Sequence, residues 1–96
     1  MGHRAYPPLT PSEVQDILKA RGFRKRATKG SHQQWAREAS AGRKASVVTV
    51  DVAHSQYGPE LMHSMVRQSG FTSKEFYGST RHTARSASVP FLPRVV

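Results

Sequence analysis

The sequence predicts a single α+β domain with the element order α-β-β-β-α, in which a three-stranded antiparallel sheet carries two helices on one face. Three observations support this fold class. The chain has 96 residues, which is room for one domain. Two segments combine helical spacing of apolar residues with capping signals, and the region between them changes to a period of two.

The first helix is predicted at about residues 11–21. Thr10 and Glu13 form a T-x-x-E capping box at its start. Pro11 occupies the first helical position, where its missing N–H has no cost. Gly22 follows the helix and can adopt the left-handed conformation that ends it.

The second helix is predicted to begin at Gly58 and to end at Gly70, and Thr72 with Glu75 then caps a short last turn. Trp35 is expected to be at least partly buried in the sheet. The side chains expected in the core are Val14, Ile17, Leu18, Phe23, Val48, Val50, Leu61, Met65, Val66 and Phe76.

Three strands are predicted between the helices, at residues 23–28, 32–37 and 45–52. The last of them carries the strongest signal because it is rich in β-branched residues. Residues 29–31, Lys-Gly-Ser, look like a tight turn, and residues 38–45 look like a longer hairpin loop. The short loops between neighbouring strands indicate antiparallel pairing.

Both ends of the chain lack periodicity and contain prolines. We therefore expect flexible tails at 1–8 and 79–96 and a folded domain at 9–78. No apolar run approaches the roughly 18 residues of a membrane span, and the N-terminus has no apolar signal-peptide core. The absence of cysteine excludes a disulfide scaffold. These features favour a cytoplasmic protein without membrane contact.

The charge balance indicates an anionic partner. Fifteen Lys and Arg residues against six Asp and Glu residues give a net charge of +9. RNA or DNA is a common partner of a small basic domain, because each phosphate contact gains electrostatic energy. An acidic partner protein is the alternative that this balance leaves open.

The five histidines are the side chains that can change charge near neutral pH. His3 and His82 lie in the expected tails, and His63 lies outside the apolar face of the second helix. His54 follows the strongest strand, where a loop could hold a catalytic group. His32 starts the central strand directly after the Gly-Ser turn. For His32 and His54, a purely structural role is the alternative to catalysis.

Other chemistries fit the sequence less well. It contains no nucleophile elbow, no phosphate-binding P-loop and no H-E-x-x-H metal motif. The few acidic residues are scattered, and several serve as helix caps. We therefore expect neither a metal site nor a cofactor.

Four segments in this order carry a resemblance to one family. From about Leu9 to Tyr77 the chain resembles the HicA toxins, small RNA-cleaving members of bacterial toxin–antitoxin pairs with a fold like that of double-stranded-RNA-binding domains. The resemblance implies that His32, in the Gly-Ser-His turn, is catalytic, that mRNA is the substrate and that a HicB-type antitoxin is the partner. The segments are "LTPSEVQDILKARGF", "KGSHQQW", "AHS" with the strand that precedes it, and "MVRQSGFTSKEFY".

RNA carries its own nucleophile, the 2′-hydroxyl, so a general base can start cleavage without a metal ion. His32 is the expected base. The leaving oxygen could be protonated by His54, by water or by His32 itself. Support for RNA binding and for the developing charge is expected from the basic residues and the turn nearest His32 in sequence, which are Arg24, Lys25, Arg26, Lys29, Gly30 and Ser31.

Two other functions remain open at this point. The first is a non-catalytic RNA-binding module on the same fold, which would bind RNA without cleaving it. The absence of lysine at the start of the second helix counts against this function, because phosphate-clamping domains usually carry lysines there. The second is a protein-interaction module whose basic charge serves an acidic partner.

Overall fold

The computed structural model describes residues 6–40 and 42–94. Its three strands form one antiparallel sheet in the order β1-β2-β3, and α1 and α2 pack on one face of it. This confirms the predicted α+β fold. The elements are α1 (Pro11–Ala20), β1 (Arg24–Lys29), β2 (His32–Arg37), β3 (Ser46–Asp51), α2 (Pro59–Ser69), α3 (Ser73–Tyr77) and α4 (Arg81–Ala87).

Helix α1 begins and ends with the predicted capping contacts. The Glu13 N–H donates to the Thr10 hydroxyl at 3.2 Å, and the Thr10 N–H donates to the Glu13 carboxylate at 2.8 Å. At the other end Gly22 has a φ of 87°. The Phe23 N–H then donates to the Leu18 carbonyl at 2.9 Å. This Schellman ending turns the chain directly from α1 into β1.

Helix α2 faces the sheet through a stripe that begins one residue later than expected. Met62, Met65, Val66 and Ser69 are buried, whereas Leu61 is 40% exposed. The prediction that Leu61 lies in the core is therefore wrong. The buried positions follow the i, i+3, i+4, i+7 spacing. Leu61 lies about 100° around the helix axis from Met62, so its side chain falls outside this stripe. The other predicted core side chains are buried, and so is Trp35.

The two faces of the sheet differ in what covers them. Trp35, Val48 and Val50 are buried beneath the helices. Because successive strand residues point to opposite faces, His32 and Thr49 lie on the other face, which no helix of the described chain covers. We call this side of the sheet the open face.

Strand β1 is an edge strand and carries a bulge. Lys25 pairs with Trp35, and Ala27 pairs with Gln34, so Arg26 is an extra residue with no partner in the register. A bulge of this kind bends the strand and interrupts the ladder of hydrogen-bonding groups along the edge.

Helix α4 lies in the segment after Gly78, where a flexible tail was expected at 79–96. In α4 the small side chains of Thr83, Ala84 and Ala87 are buried. The Thr83 hydroxyl donates to the Tyr77 carbonyl at 2.7 Å. Hydrophobic periodicity missed this helix because its contact surface consists of small residues and contains no large apolar side chain. Residues 95–96 lie outside the described part of the chain.

The expected N-terminal tail is also packed from Tyr6 onward, while residues 1–5 lie outside the described part. The Tyr6 ring lies 4.8 Å from the Tyr77 ring, measured between centroids. The Tyr77 hydroxyl donates to the Pro7 carbonyl at 2.7 Å. Burial raises the pKa of Tyr77 to about 12, so its hydroxyl keeps the proton that it donates.

We predict that Gly78→Ala destabilises the domain by about 1–3 kcal/mol, the usual cost of overpacking. A Cβ at this position would lie 2.7 Å from the Pro90 carbonyl oxygen and 2.8 Å from that of Lys74. The Leu92 N–H also donates to the Gly78 carbonyl at 2.8 Å, so the C-terminal segment cannot move away freely. Urea denaturation measures the change.

The matched control is Gly58→Ala, because a Cβ there meets no atom within 4 Å. Its destabilisation should stay below about 1 kcal/mol, as expected for a change at an open helix cap. Equal destabilisation in the two variants would contradict the packing of the C-terminal segment against Gly78.

Candidate active site

The turn between β1 and β2 is built around Gly30. Its φ of 60° lies in the left-handed region that favours glycine. Gly30 and Ser31 form a two-residue hairpin loop of the kind that takes Gly at its first central position. The Ser31 carbonyl accepts the Val52 N–H at 2.9 Å, which ties the turn to the end of β3. The turn therefore holds His32 at a defined point of the open face.

Asp51 lies directly opposite His32 in the pairing of β2 with β3. Residues paired in this way have neighbouring side chains on the same face. The His32 Nε2 atom is 3.6 Å from the Asp51 Oδ2 atom, and the His32 side chain is 61% exposed. The imidazole is therefore accessible to a ligand on the open face while it faces a carboxylate.

His54 reaches the same carboxylate from the loop that follows β3. Its Nε2 atom is 3.5 Å from Asp51 Oδ2, and its ring centroid is 5.8 Å from that of Tyr57. Because both Nε2 atoms lie near the same Oδ2 atom, the two imidazoles are close to each other. We call His32, Asp51 and His54 the His–Asp–His cluster.

Tyr57 fixes the backbone that carries this cluster. Its side chain is buried, and its hydroxyl donates to the Asp51 carbonyl at 2.7 Å. Burial, together with the charge of Asp51, raises the pKa of Tyr57 to about 12. The Tyr57 N–H donates to the Leu9 carbonyl at 2.8 Å. The loop is therefore anchored to the core next to the residue that both histidines face.

Asp51 is held in its ionised form. The Ala53 N–H donates to Asp51 Oδ1 at 3.0 Å, and this bond is the main reason why the pKa of Asp51 lies below its ordinary value. The Ser31 hydroxyl and the two histidines lower that pKa further. Each of these contacts favours the charged carboxylate.

Sequence reasoning missed Asp51. The register of β2 against β3 decides which residue faces His32, and the long loop between these strands leaves the register open in the sequence. The available signal was the alternation of residues along this strand, because the predicted core positions Val48 and Val50 place Asp51 on the opposite face.

A shallow depression of about 660 Å³ on the open face adjoins His32. Lys29 is the cation in its lining, and Lys29 pairs with His32 across the hairpin. The depression also includes Gly30 and Thr49. An anionic group placed there would meet an ammonium and an imidazole together.

The structure brings only part of the predicted site residues together. Lys29, Gly30, Ser31 and His54 adjoin His32 or Asp51. Arg24 pairs with Ala36, and Lys25 pairs with Trp35, so both lie toward the opposite end of the hairpin. His32 and Ala36 are four positions apart, which is about 13 Å along a strand. Arg26 lies at the bulge between the two ends.

Comparison with protein-family models gave no match for this chain, and comparison with curated protein sequences gave no match either. Within residues 6–40 and 42–94, no group of three or more His, Asp and Glu side chains is arranged as a metal site. None of the helices in the same ranges has the length and apolar character that a membrane crossing requires.

We predict that Ser31→Ala raises the pKa of Asp51, because the variant removes a hydroxyl that favours the ionised carboxylate. A folded-state pKa below the unfolded value means that Asp51 contributes stability above its unfolded pKa. That contribution is lost as the pH falls through the folded pKa. Carboxyl carbon chemical shifts, followed from neutral pH to about pH 2, measure the titration.

The exposed Ser12 at the start of α1 provides the control, since Ser12→Ala should leave the Asp51 titration unchanged. The interpretation is contradicted if wild-type Asp51 titrates at or above the ordinary value of an aspartate.

Proposed function

We propose that this protein is an endoribonuclease of the HicA toxin type, which cleaves mRNA through the 2′-hydroxyl and needs no metal ion. The observation that carries the proposal is that one carboxylate oxygen of Asp51 faces two imidazoles beside a basic turn. Transfer of an RNA phosphodiester to its own 2′-oxygen needs one group that takes a proton and one that gives a proton. Two neighbouring imidazoles can supply both.

His32 acts as the base in this proposal. Its imidazole takes the proton of the 2′-hydroxyl, and the 2′-oxygen attacks phosphorus. The bond from phosphorus to the 5′-oxygen breaks, and a protonated His54 gives its proton to that oxygen. The products are a 2′,3′-cyclic phosphate and a 5′-hydroxyl, and the enzyme exchanges one proton between its two histidines.

The position of His32 supports its role as the base. His32 stands on the open face beside the depression and Lys29, where a phosphate can approach. The Lys29 ammonium can stabilise the negative charge that develops on the phosphate oxygens. Asp51 faces the imidazolium that forms on His32 when it takes the proton. The Ser31 hydroxyl interacts with the Asp51 carboxylate. Gly30 allows the backbone conformation of the turn.

The biological setting is part of the same proposal and derives from the sequence resemblance. The protein would act as the toxin of a toxin–antitoxin pair in the cytoplasm, with a HicB-type antitoxin as its partner. The Gly-Ser-His turn and the order of the four similar segments support this setting.

The test compares three single variants of the purified protein on RNA in the presence of EDTA. His32→Ala and His54→Ala should each lower the cleavage rate by roughly 10²-fold or more, because each removes a proton-transfer group. Stability should change by less than about 1 kcal/mol, since both side chains are exposed. His63→Ala is the control, because this exposed histidine lies on α2 outside the cluster.

Three results would contradict the proposal. His32→Ala could cleave as well as the wild type, which would remove its catalytic role. EDTA could abolish cleavage, which would reject the metal-independent route. Wild-type protein could bind RNA without cleaving it, which would favour the non-catalytic RNA-binding module.

A further inference from the structure

A second basic feature lies at the end of the sheet opposite the His–Asp–His cluster. It is a cavity of about 800 Å³ between the end of α1, β1 and the end of β2. We call it the basic cleft. Its charged lining consists of Arg21, Arg24, Lys25, Arg26 and Arg37, with Glu38 as the one acidic residue. No part of the proposed catalytic step uses it.

Arg21 is unusually buried for a cation, with 8% of its surface exposed. Its Nη2 atom donates to the Glu75 carbonyl at 2.9 Å, and its Nε atom is buried without a hydrogen-bond partner. Burial lowers the pKa of Arg21. Burying a charge whose hydrogen bonds are incomplete costs free energy, because the charge loses its hydration. An anion bound at the cleft would offset part of this desolvation cost.

Two more arginines lie around the same aromatic ring as Arg21. The guanidinium carbons of Arg21 and Arg37 each lie 5.6 Å from the Phe71 ring centroid, and that of Arg43 lies 4.3 Å from it. One carboxylate, Glu75, lies 3.6 Å from Arg43 Nη2. Three guanidinium groups therefore lie around one aromatic ring, and one of them faces the Glu75 carboxylate.

Arg37 is held in place before any ligand arrives. Besides its cation–π contact with the Phe71 ring, its Nη2 atom donates to the Ser40 hydroxyl at 3.3 Å. Its Nε atom lies beside the turn that follows α1, 3.8 Å from where a Cβ on Gly22 would stand. A fixed, planar guanidinium can bind a phosphate through two parallel hydrogen bonds and loses little side-chain entropy in doing so.

The chemistry of the cleft favours a phosphate over an acidic peptide. A peptide can dock along an edge strand by extending the sheet through the free edge of that strand. The bulge at Arg26 interrupts that edge. Four of the five cations are arginines, which can bind phosphate oxygens through paired hydrogen bonds, as they also bind carboxylates. The interrupted edge of β1 is therefore the feature that disfavours a peptide.

We propose that the basic cleft binds a backbone phosphate of the RNA strand whose scissile phosphate lies at His32. This inference rests on the proposed function. Arg21 and Arg37 approach the cleft from the helix side, whereas Arg24 and Ala36 of its lining pair on the open face. Ala36 lies about 13 Å along β2 from His32. An RNA strand that crosses this face would be bound at the basic cleft and cleaved at His32.

The experiment uses a fluorescent 12-nucleotide RNA in which every sugar carries a 2′-O-methyl group, so that binding is measured without cleavage. Arg24→Gln with Arg37→Gln should weaken binding by about 10-fold or more, as expected when charged hydrogen bonds are removed. The slope of log K against log salt should become shallower by about 0.7 for each phosphate that the variant no longer neutralises. The control pair, Arg67→Gln with Arg85→Gln, removes the same charge from exposed positions elsewhere.

A dinucleotide substrate, which is too short to reach the cleft, provides the second measurement. The cleft variant should lower cleavage of this dinucleotide much less than it lowers cleavage of a 12-nucleotide RNA with free 2′-hydroxyls. If the cleft variant fails to fold, Lys25→Gln with Arg26→Gln tests the same cleft at exposed β1 positions.

Equal RNA affinities for the cleft and control pairs would overturn the inference, and so would a cleft that binds polyglutamate and not RNA. If wild-type protein cleaves no RNA but the cleft variant still binds RNA more weakly, the cleft remains a phosphate site and the proposed catalysis is rejected.

Discussion

The pairing of His32 with Asp51 across β2 and β3 is the constraint on which the candidate site depends. The register that creates it is set on the other face of the sheet, where Val48 and Val50 are fully buried against the helices. A shift of one residue would expose these valines and turn Asp51 toward the core. The packing of these valines in the core therefore also fixes Asp51 beside the exposed imidazole of His32.

The second histidine depends on contacts of a different kind. His54 lies in a loop, and that loop is held by hydrogen bonds that converge on Asp51 and on the buried Tyr57. Leu9, just before α1, completes the anchor through its carbonyl. A loop that is tied at these points can present His54 to Asp51 without contributing much to the core itself. Proteins commonly place reactive groups on loops that a rigid scaffold holds in position.

The sequence was most informative where local chemistry decides the structure. Capping boxes, left-handed glycines and β-branched runs act over a few residues, so the helices and strands were predicted to within a residue or two at most ends. The pairing of His32 with Asp51, the phase of α2 at Leu61 and the docking of α4 depend on contacts between distant segments. Small residues such as Ala84 and Ala87 carry no periodic signal, although burial makes them important. His32 and His54 were recognised as candidates from their positions, but Asp51 between them was not.

In the mechanism that we propose, the 2′-hydroxyl of the substrate is the nucleophile and the His–Asp–His cluster moves the protons. The most direct measurement maps the cleavage site in an RNA oligonucleotide and then replaces the nucleotide on the 5′ side of that bond by its 2′-deoxy form. The account predicts that the unmodified bond is cut to leave a 2′,3′-cyclic phosphate and that the modified bond stays intact. Cleavage of the modified bond at the same rate would contradict the account.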